Sequence, residues 1–518
     1  MSRPPDPGVV DARTFALDLQ QTLRNGGDSD SWRAVVERGL TAAYAAGDIV
    51  ALCDVVQAIV SILDAQGRQR EAVFEIAHAI GLANGDPNAL CMLHGMRATF
   101  LVSSGDVVAG LEAAATADAF ASRADLPFAT AKAHTHSAVA RWIALDASAL
   151  DAQGLGVDLL SEARAADALF LMSYRIPLLV ALGERGLAHP WLRSFRLNAT
   201  AAGHQYRIAD ANVYDAAELA VSDPRAVSLD IGVPQWSWLA KWRLAILRLW
   251  TALLYRRWED APGCLQVALR VRRRAGNVVL DDVGGPEMLL AASAGIGCFD
   301  EALRPPPSVH LLNLAATFAA AEAVATAGNQ AQAGMWHEWF AGALPDAITT
   351  SLEWPVSRWR LQALLALRSG NEVGAKQGLE HAIDWSQKAG YPIEGALAQI
   401  QLAELLRHRY AGPERRWREL HNAGSEALRA IGVDPVPPAY VVAQIAPVGG
   451  RNGIASRLTP RETEVLKHLA EGLSYRDVAL LLGVKWTTVQ TLAHRCYEKL
   501  DASGRALAVA KARELGVL

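Results

Sequence analysis

Four times along this 518-residue chain a helical stretch reaches a glycine, and a small residue follows five positions later: Gly67 and Ala72, Gly105 and Gly110, Gly328 and Ala333, Gly370 and Ala375. Glycine suits the left-handed turn between antiparallel helices, and a small side chain lets the second helix approach the first. In three of the four, alanine returns twelve residues after the turn (Ala79, Ala117, Ala382) and a proline ends the second helix (Pro87, Pro127, Pro392); the fourth has Phe340 at that place. From Trp32 onward alanine and leucine recur at helical spacing, while alternating strand-like runs and Asn-Gly hairpin turns are scarce. The expected fold class is all-α, with a repeated helix pair as its unit.

This spacing resembles the tetratricopeptide repeat, a helix pair of about 34 residues, with the second helix lengthened by about a turn. Gly67 to Gly105 spans 38 residues and Gly328 to Gly370 spans 42, so the match is degenerate and an irregular helical bundle is the alternative to a TPR-like α-solenoid. Periodicity is less clean between Asp151 and Pro307, and Arg304-Pro305-Pro306-Pro307 reads as a break. The expected organisation is a tail over 1–30, a first helical-repeat lobe over 31–304, a second over 308–431, a Pro/Gly-rich linker over 432–456 and a C-terminal module over 457–518.

Apolar residues make up 51% of the chain and charged ones 20%, enough for a buried core. Apolar runs such as Leu311 to Ala321 fall well short of the roughly 18 residues of a membrane span. The start has no basic segment running into an apolar one, so a soluble cytoplasmic protein with no membrane partner is expected. Five cysteines (Cys53, Cys91, Cys264, Cys298, Cys496) stand far apart, which supports neither a disulfide framework nor a zinc module.

Signatures of catalysis do not emerge. The nearest approach to a phosphate-cradling loop, Gly370 to Lys376, has Ala375 before the lysine and Gln377 after it. Gly154-Leu155-Gly156 lacks the third glycine of a dinucleotide site. His134 and His136, two apart, point to different sides of a helix. Neither catalytic residues nor a metal or cofactor are expected, and the chain is not read as an enzyme. Stacked helix pairs instead offer a surface for a protein partner or a small-molecule effector. Five tryptophans crowd one stretch (Trp236, Trp238, Trp242, Trp250, Trp258). Trp238, Trp242 and Leu249 share a helix face, which reads first as core packing and second as an aromatic-lined ligand pocket. Arg272-Arg273-Arg274 reads as a solvated helix end.

Charge is uneven: from Ser456 to the end the chain carries ten Lys/Arg against seven Asp/Glu, whereas the remainder is net −7. Four of the eight lysines (Lys467, Lys485, Lys499, Lys511) lie in this end, which fits a surface that meets polyanions. Its pattern is sharp. Thr459, Pro460 and Glu462 form a capping box ahead of the stripe Val465, Leu466, Leu469 and Ala470, and Gly472 stops that helix. Ser474 caps a second helix with Asp477 at its third position; Val478, Ala479 and Leu482 face inward and Gly483 makes the turn. A third helix runs from about Trp486 to Leu500 with Val489, Ala493, Cys496 and Leu500 as its buried stripe, so Thr487, Gln490, Thr491, His494 and Arg495 project outward. A fourth, from about Arg505 to Leu515, places Ala508, Ala512 and Leu515 on one face. Helix, short turn, helix is the skeleton of a helix-turn-helix.

Here the chain resembles the LuxR-type (GerE-type) DNA-binding domain of bacterial transcription regulators. The residues carrying the resemblance are Leu458 to Leu466, Ala470 to Ser474, Val478-Ala479, Leu482 to Val484, Thr488-Val489, Lys499-Leu500 and Ala508-Val509, about 60 residues in all. It implies a four-helix domain whose third helix enters the major groove of double-stranded DNA and whose fourth helix pairs two copies on an inverted repeat. Homodimerisation is implied, and contact with RNA polymerase if the protein is an activator. Gln490, Thr491 and His494 are the base-edge candidates; Lys485, Thr487, Thr488 and Arg495 are the phosphate candidates. The family usually has Ser where this chain has Lys485, a basic residue where it has Gln490, His where it has Leu492, and often Ser where it has Gly504. Gln490 can still read adenine, but these departures also open the alternative of a helical-repeat interaction scaffold whose tail has lost operator binding.

Overall fold

The computed structural model describes residues 49–151, 165–223, 233, 237–255, 257, 260–275, 304–409, 414–433, 458, 460–470, 473–482, 484–500, 502 and 505–514. Among these there are twenty α-helices, one short 3-10 turn and no strand, so the fold is all-α. The 1–30 tail, nearly all of the 432–456 linker, Trp236, Trp258, Cys298, Thr459, Gly472, Gly483, Gly504, Leu515 and the side chains of Arg272, Arg273 and Arg274 lie outside the described residues. The chain divides into two compact units, Met1–Ile445 and Ala446–Leu518.

The first unit is a succession of helix pairs. Those announced by the glycine signal are α1 (Ile49–Gln66) with α2 (Gln69–Leu82), α3 (Pro87–Ser103) with α4 (Val107–Ala121), α11 (Leu314–Ala327) with α12 (Gln330–Gly342), and α13 (Arg358–Ser369) with α14 (Glu372–Ala389). Between them run α5 (Pro127–Ile143), α6 (Ala165–Ala181), α7 (Arg185–Ala201), α8 (Gln205–Ser222), α9 (Trp238–Leu254) and α10 (Ala261–Ala275), and α15 (Pro392–Arg409) and α16 (Glu414–Ala430) follow. Consecutive helices pack on one another from α1 to α10 and again from α11 to α16, and α1 on α3, α3 on α5, α6 on α8 and α11 on α13 pack across a neighbour, the pairing expected of a helical-repeat stack.

All eight signal positions within the second helices are buried: Ala72, Ala79, Gly110, Ala117, Ala333, Phe340, Ala375 and Ala382. Gly110 shows why they are small. A Cβ there would stand 2.3 Å from Val102 Cγ2 and 3.1 Å from the Ala98 carbonyl oxygen, so α4 lies on α3 with no room for a methyl group. Gly67, Gly105 and Gly370 take positive φ angles of 79°, 96° and 96°, as a left-handed turn requires.

Gly328 departs from that expectation, with an extended backbone (φ −64°, ψ 159°). Asn329 takes over the turn: its side chain accepts from the Gln332 backbone N–H at 2.8 Å and the Gln332 side chain accepts from Asn329 at 3.0 Å, a capping box that starts α12 without a left-handed residue. The prolines also act differently from their reading as terminators. Pro87, Pro127 and Pro392 each open the following helix, where a missing N–H costs nothing and the fixed φ suits the first turn. A fifth unit escaped the pattern: Gly183 (φ 83°) joins α6 to α7, with buried Ala188 five residues on and buried Phe195 twelve on.

The proline-rich segment after Arg304 does not divide the body into separate cores. One hydrophobic cluster runs from Ala98 to Val433, and the segment is stitched in place by the Leu311 backbone N–H donating to the Ile143 carbonyl at 2.8 Å. Thr349 N–H donates likewise to the Ala181 carbonyl at 2.7 Å. Pro306, His310, Leu311 and Leu312 are buried, so the segment is a packed crossing. Beside it, Arg360 joins Glu322 and Glu394 at 3.0 and 2.8 Å, and the Trp354 indole donates to Glu322 at 2.9 Å. This buried ion triad fixes α11, α13 and α15 in one register.

The second unit holds α17 (Pro460–Ala470), α18 (Tyr475–Leu482), α19 (Trp486–Lys499) and α20 (Arg505–Glu514) around its own core. In the body, the tight crossing at Gly110 makes a direct prediction. Gly110→Ala lowers stability by about 1–3 kcal/mol through overpacking against Val102, despite alanine's better helix propensity, as read by the urea midpoint of the first unfolding transition.

Candidate functional site

In the second unit the core decides what faces out. Val489, Ala493, Cys496 and Leu500 are buried with Val465, Leu466, Leu469, Val478, Ala508 and Ala512, and Leu492 packs beside them partly buried. Tyr497 also joins this core, its hydroxyl 3.0 Å from that of Tyr475, an anchor that the three-four spacing of the stripe did not include. Burial pushes the Cys496 thiol up to about 12, so it serves as an inert packing group.

Several polar contacts lock the four helices. Ser474 and Asp477 form the expected reciprocal cap: Asp477 N–H donates to Ser474 Oγ at 3.3 Å and Ser474 N–H donates to Asp477 Oδ2 at 3.1 Å. The Ser474 hydroxyl, donating at 2.6 Å, holds the Asp477 carboxyl below its usual range. Arg461 donates to the Leu482 carbonyl at 2.8 Å and closes the end of α18. Glu462 has a role that a cap reading of it left out. Its buried carboxylate receives Lys499 Nζ at 2.8 and 2.6 Å, tying the start of α17 to the end of α19. Arg505 donates to the Leu469 carbonyl at 2.6 Å and draws α20 onto α17.

With the stripe buried, Lys485, Thr487, Thr488, Gln490, Thr491, His494 and Arg495 are all exposed, brought together on α19 and the residue before it. The Thr491 hydroxyl donates to the Thr487 carbonyl at 2.9 Å. Thr488 N–H donates to the Lys485 carbonyl at 2.9 Å, so Lys485 sits at the mouth of the helix. Among the described residues neither Lys485 nor Arg495 is held in an ion pair. Trp486 heads the same face, 50% exposed, and was missed because it had been counted only as the helix start. The face thus offers two permanent cations, an amide, hydroxyls and an imidazole around an exposed indole.

The two body candidates, Trp238 and Trp242, lie buried in the main core, 6% and 4% exposed. The Trp238 indole donates to the Asp64 carbonyl at 2.5 Å, joining α9 to α1. Around this joint lies a polar interior that sequence spacing did not announce. Arg207 pairs with Asp210 at 3.2 Å and donates to Ser173 Oγ at 3.0 Å; Arg243 pairs with Glu353 at 2.8 Å and donates to the Tyr214 hydroxyl at 2.7 Å. Asp64 accepts from Gln69 Nε2 at 3.2 Å, and burial lifts its carboxyl to about 6 against the pull of Arg207.

Residues 456–512 match the family model described as bacterial regulatory proteins, luxR family. The chain is 31% identical over 110 residues to RpaR, an HTH-type quorum sensing-dependent transcriptional regulator of Rhodopseudomonas palustris, covering 19% of this chain and 45% of that one. It is 39% identical over 67 residues to the similarly described VjbR of Brucella abortus, covering 13% and 26%. To the probable transcriptional regulatory protein NarL of Mycobacterium tuberculosis it is 42% identical over 84 residues, covering 16% and 39%. The chain therefore spans less than half the length of each of these relatives. Its second unit is a helix-turn-helix domain of LuxR type.

Two outcomes follow from this geometry. Lys499→Ala leaves the Glu462 carboxylate buried without its ammonium partner and destabilises the second unit by about 1–3 kcal/mol, measured by urea unfolding followed through Tyr and Trp emission. For Asp64 the sign follows from its raised carboxyl: the stability it contributes is complete below about pH 4 and is lost as pH rises through about 6. Asp64→Asn accordingly stabilises the protein by roughly 2–3 kcal/mol at pH 8 and leaves it unchanged at pH 4, read from unfolding midpoints at the two pH values.

Proposed function

We propose that this protein is a sequence-specific DNA-binding transcriptional regulator, acting as an activator, whose helical body receives a small molecule or a protein partner. The observation that carries the reading is the convergence of all seven named side chains on one exposed face of the LuxR-type unit. In this reading α19 enters the major groove with Gln490, Thr491 and His494 toward base edges. Lys485, Thr487, Thr488 and Arg495 meet phosphate and fix the register. Trp486 packs its indole on the sugar-phosphate backbone beside Lys485.

The permanent cations on this face are few, so each unit neutralises few phosphates and salt dependence is shallow. Affinity then comes from pairing two copies through α20 on an inverted repeat, with RNA polymerase as the partner of the bound dimer. Such a protein works in the cytoplasm, where its operator is.

The test is selection of genomic fragments by the purified full-length protein, followed by anisotropy titration of the best fragment at several salt concentrations. The expected result is an enriched inverted repeat bound at least ~1000-fold more tightly than scrambled DNA. Gln490→Ala costs about 1–3 kcal/mol and relaxes preference at one base pair of each half-site, while Arg495→Ala weakens all sequences alike and lowers the salt slope by about one per unit. Equal weak binding to every fragment, unmoved by either substitution, overturns the reading in favour of a helical-repeat scaffold with a silent tail.

A further inference from the structure

Among the described residues of the body, large apolar side chains that stand in water do so apart, no two of them neighbours in sequence. The second unit differs. Leu480 and Leu481 are adjacent in the eight-residue helix α18, 85% and 61% exposed. A single exposed leucine needs no explanation, but two side by side in so short a helix mark a surface for another molecule.

The packing of α18 shows which way they face. Its inner side is Tyr475, Val478, Ala479 and Leu482, all in or against the core of the unit. Asp477, Leu480 and Leu481, related by three and four residues, share the opposite side, and Asp477 is exposed there too. The helix is held against α19 at both ends. In the turn the Val484 N–H donates to the Ala479 carbonyl at 3.0 Å, and at the far end the Tyr475 and Tyr497 hydroxyls stand 3.0 Å apart. Two helices fixed on one core turn their outer sides in different directions. The leucines therefore lie on a face of their own, beside the one on α19 that carries Gln490 and Arg495.

Three kinds of molecule could cover that face. DNA suits it poorly, because two leucines offer phosphate nothing and the Asp477 carboxylate repels it. A second copy meeting the same face across a two-fold axis would bring Asp477 toward its own counterpart, a like-charge contact in apolar surroundings. What fits is a different protein with an apolar hollow and a Lys or Arg at its rim. With α19 in the groove, the outer side of α18 stays open next to the duplex, so the partner is one that occupies the neighbouring DNA. A protein seated on DNA carries cations for phosphate, the charge that complements Asp477.

We infer that Asp477, Leu480 and Leu481 form the surface by which the DNA-bound protein holds RNA polymerase, the leucines in an apolar hollow of a promoter-bound subunit and the carboxylate on a cation at its rim. The inference rests on the reading of this protein as a DNA-binding activator and names the part of it that meets the polymerase.

The experiment is transcription in vitro by purified bacterial RNA polymerase holoenzyme from a weak promoter beside the selected inverted repeat. Operator binding and copies bound per operator are measured on the same full-length proteins without polymerase, by anisotropy and native mass measurement. Native protein raises transcript yield above the basal level. The double variant Leu480→Gln/Leu481→Gln keeps side chains of similar helix propensity at exposed positions, so it unfolds at the same urea concentration. It binds operator within about twofold of native protein, yet its recruitment of polymerase falls about tenfold or more. Asp477→Asn, which retains an oxygen to accept from the Ser474 N–H, lowers the rise in transcript without weakening operator binding. A double variant that activates as native protein does overturns the inference. So does one that loses operator affinity or binds as a single copy, which gives the face to DNA or to a second copy. Native protein that binds operator and leaves transcription at its basal level overturns it too, with the DNA-binding protein left standing. Native protein that binds no operator removes the reading and the inference with it, and anisotropy shows this before polymerase is added.

Discussion

Close approach of paired helices at a small residue is the constraint on which the body depends. At Gly110 the second helix of a pair lies so near the first that a single methyl group would strike both a side chain and a carbonyl. Ala72, Ala188, Ala333 and Ala375 hold the same place in their pairs, all of them buried. Once the crossing is tight, residues on either side of it interdigitate and the next pair stacks on the apolar face so formed. The stack continues through the proline segment, because buried Leu311 and Leu312 give that irregular crossing its own share of the core and its backbone finds a partner at the end of α5.

In the DNA-binding unit the constraint is narrower. The buried stripe of α19 allows one rotation of that helix, and the Lys499 ammonium held on the Glu462 carboxylate fixes its position along the axis. Every exposed position from Lys485 to Arg495 follows from those two facts. This is how a short domain with a small core fixes which side chains face outward. The outward face need supply no stability, so it is free to carry polar groups whose partners belong to another molecule.

What sequence made legible follows the same division. Periodicity named the buried stripe of α19 correctly because three-four spacing is local, and with it the exposed set; Tyr497 was missed because it enters the core from the edge of the stripe. The glycine signal found four helix pairs and overlooked the one at Gly183, where Phe195 replaces the recurring alanine and only the small Ala188 keeps the rule. At Gly328 the identity of the residue was a poor guide, since the local Asn329–Gln332 cap offered a cheaper turn than the left-handed one. Prolines read as helix ends were helix beginnings, a distinction that composition cannot make because a break lies on one side of the residue in either case. The interior around Asp64 had no local signature at all: positions 64, 174, 207, 243 and 353 meet only after the stack has formed.

The two units thus use polar groups in opposite ways. On α19 they stand in water, where leaving a hydroxyl or amide without a protein partner costs almost nothing, so their presence carries little information about stability and much about what they meet. Inside the body the same groups are desolvated, and each unanswered one opposes folding. In the Arg360 triad two carboxylates close on one guanidinium and take an indole and a backbone N–H besides, and this is the pattern of a network that fixes a core. The interior around Asp64 is built the same way, with Arg207 paired to Asp210 and Arg243 to Glu353, so in the body the charges hold helices together, whereas Lys485 and Arg495 on the other unit stand in water.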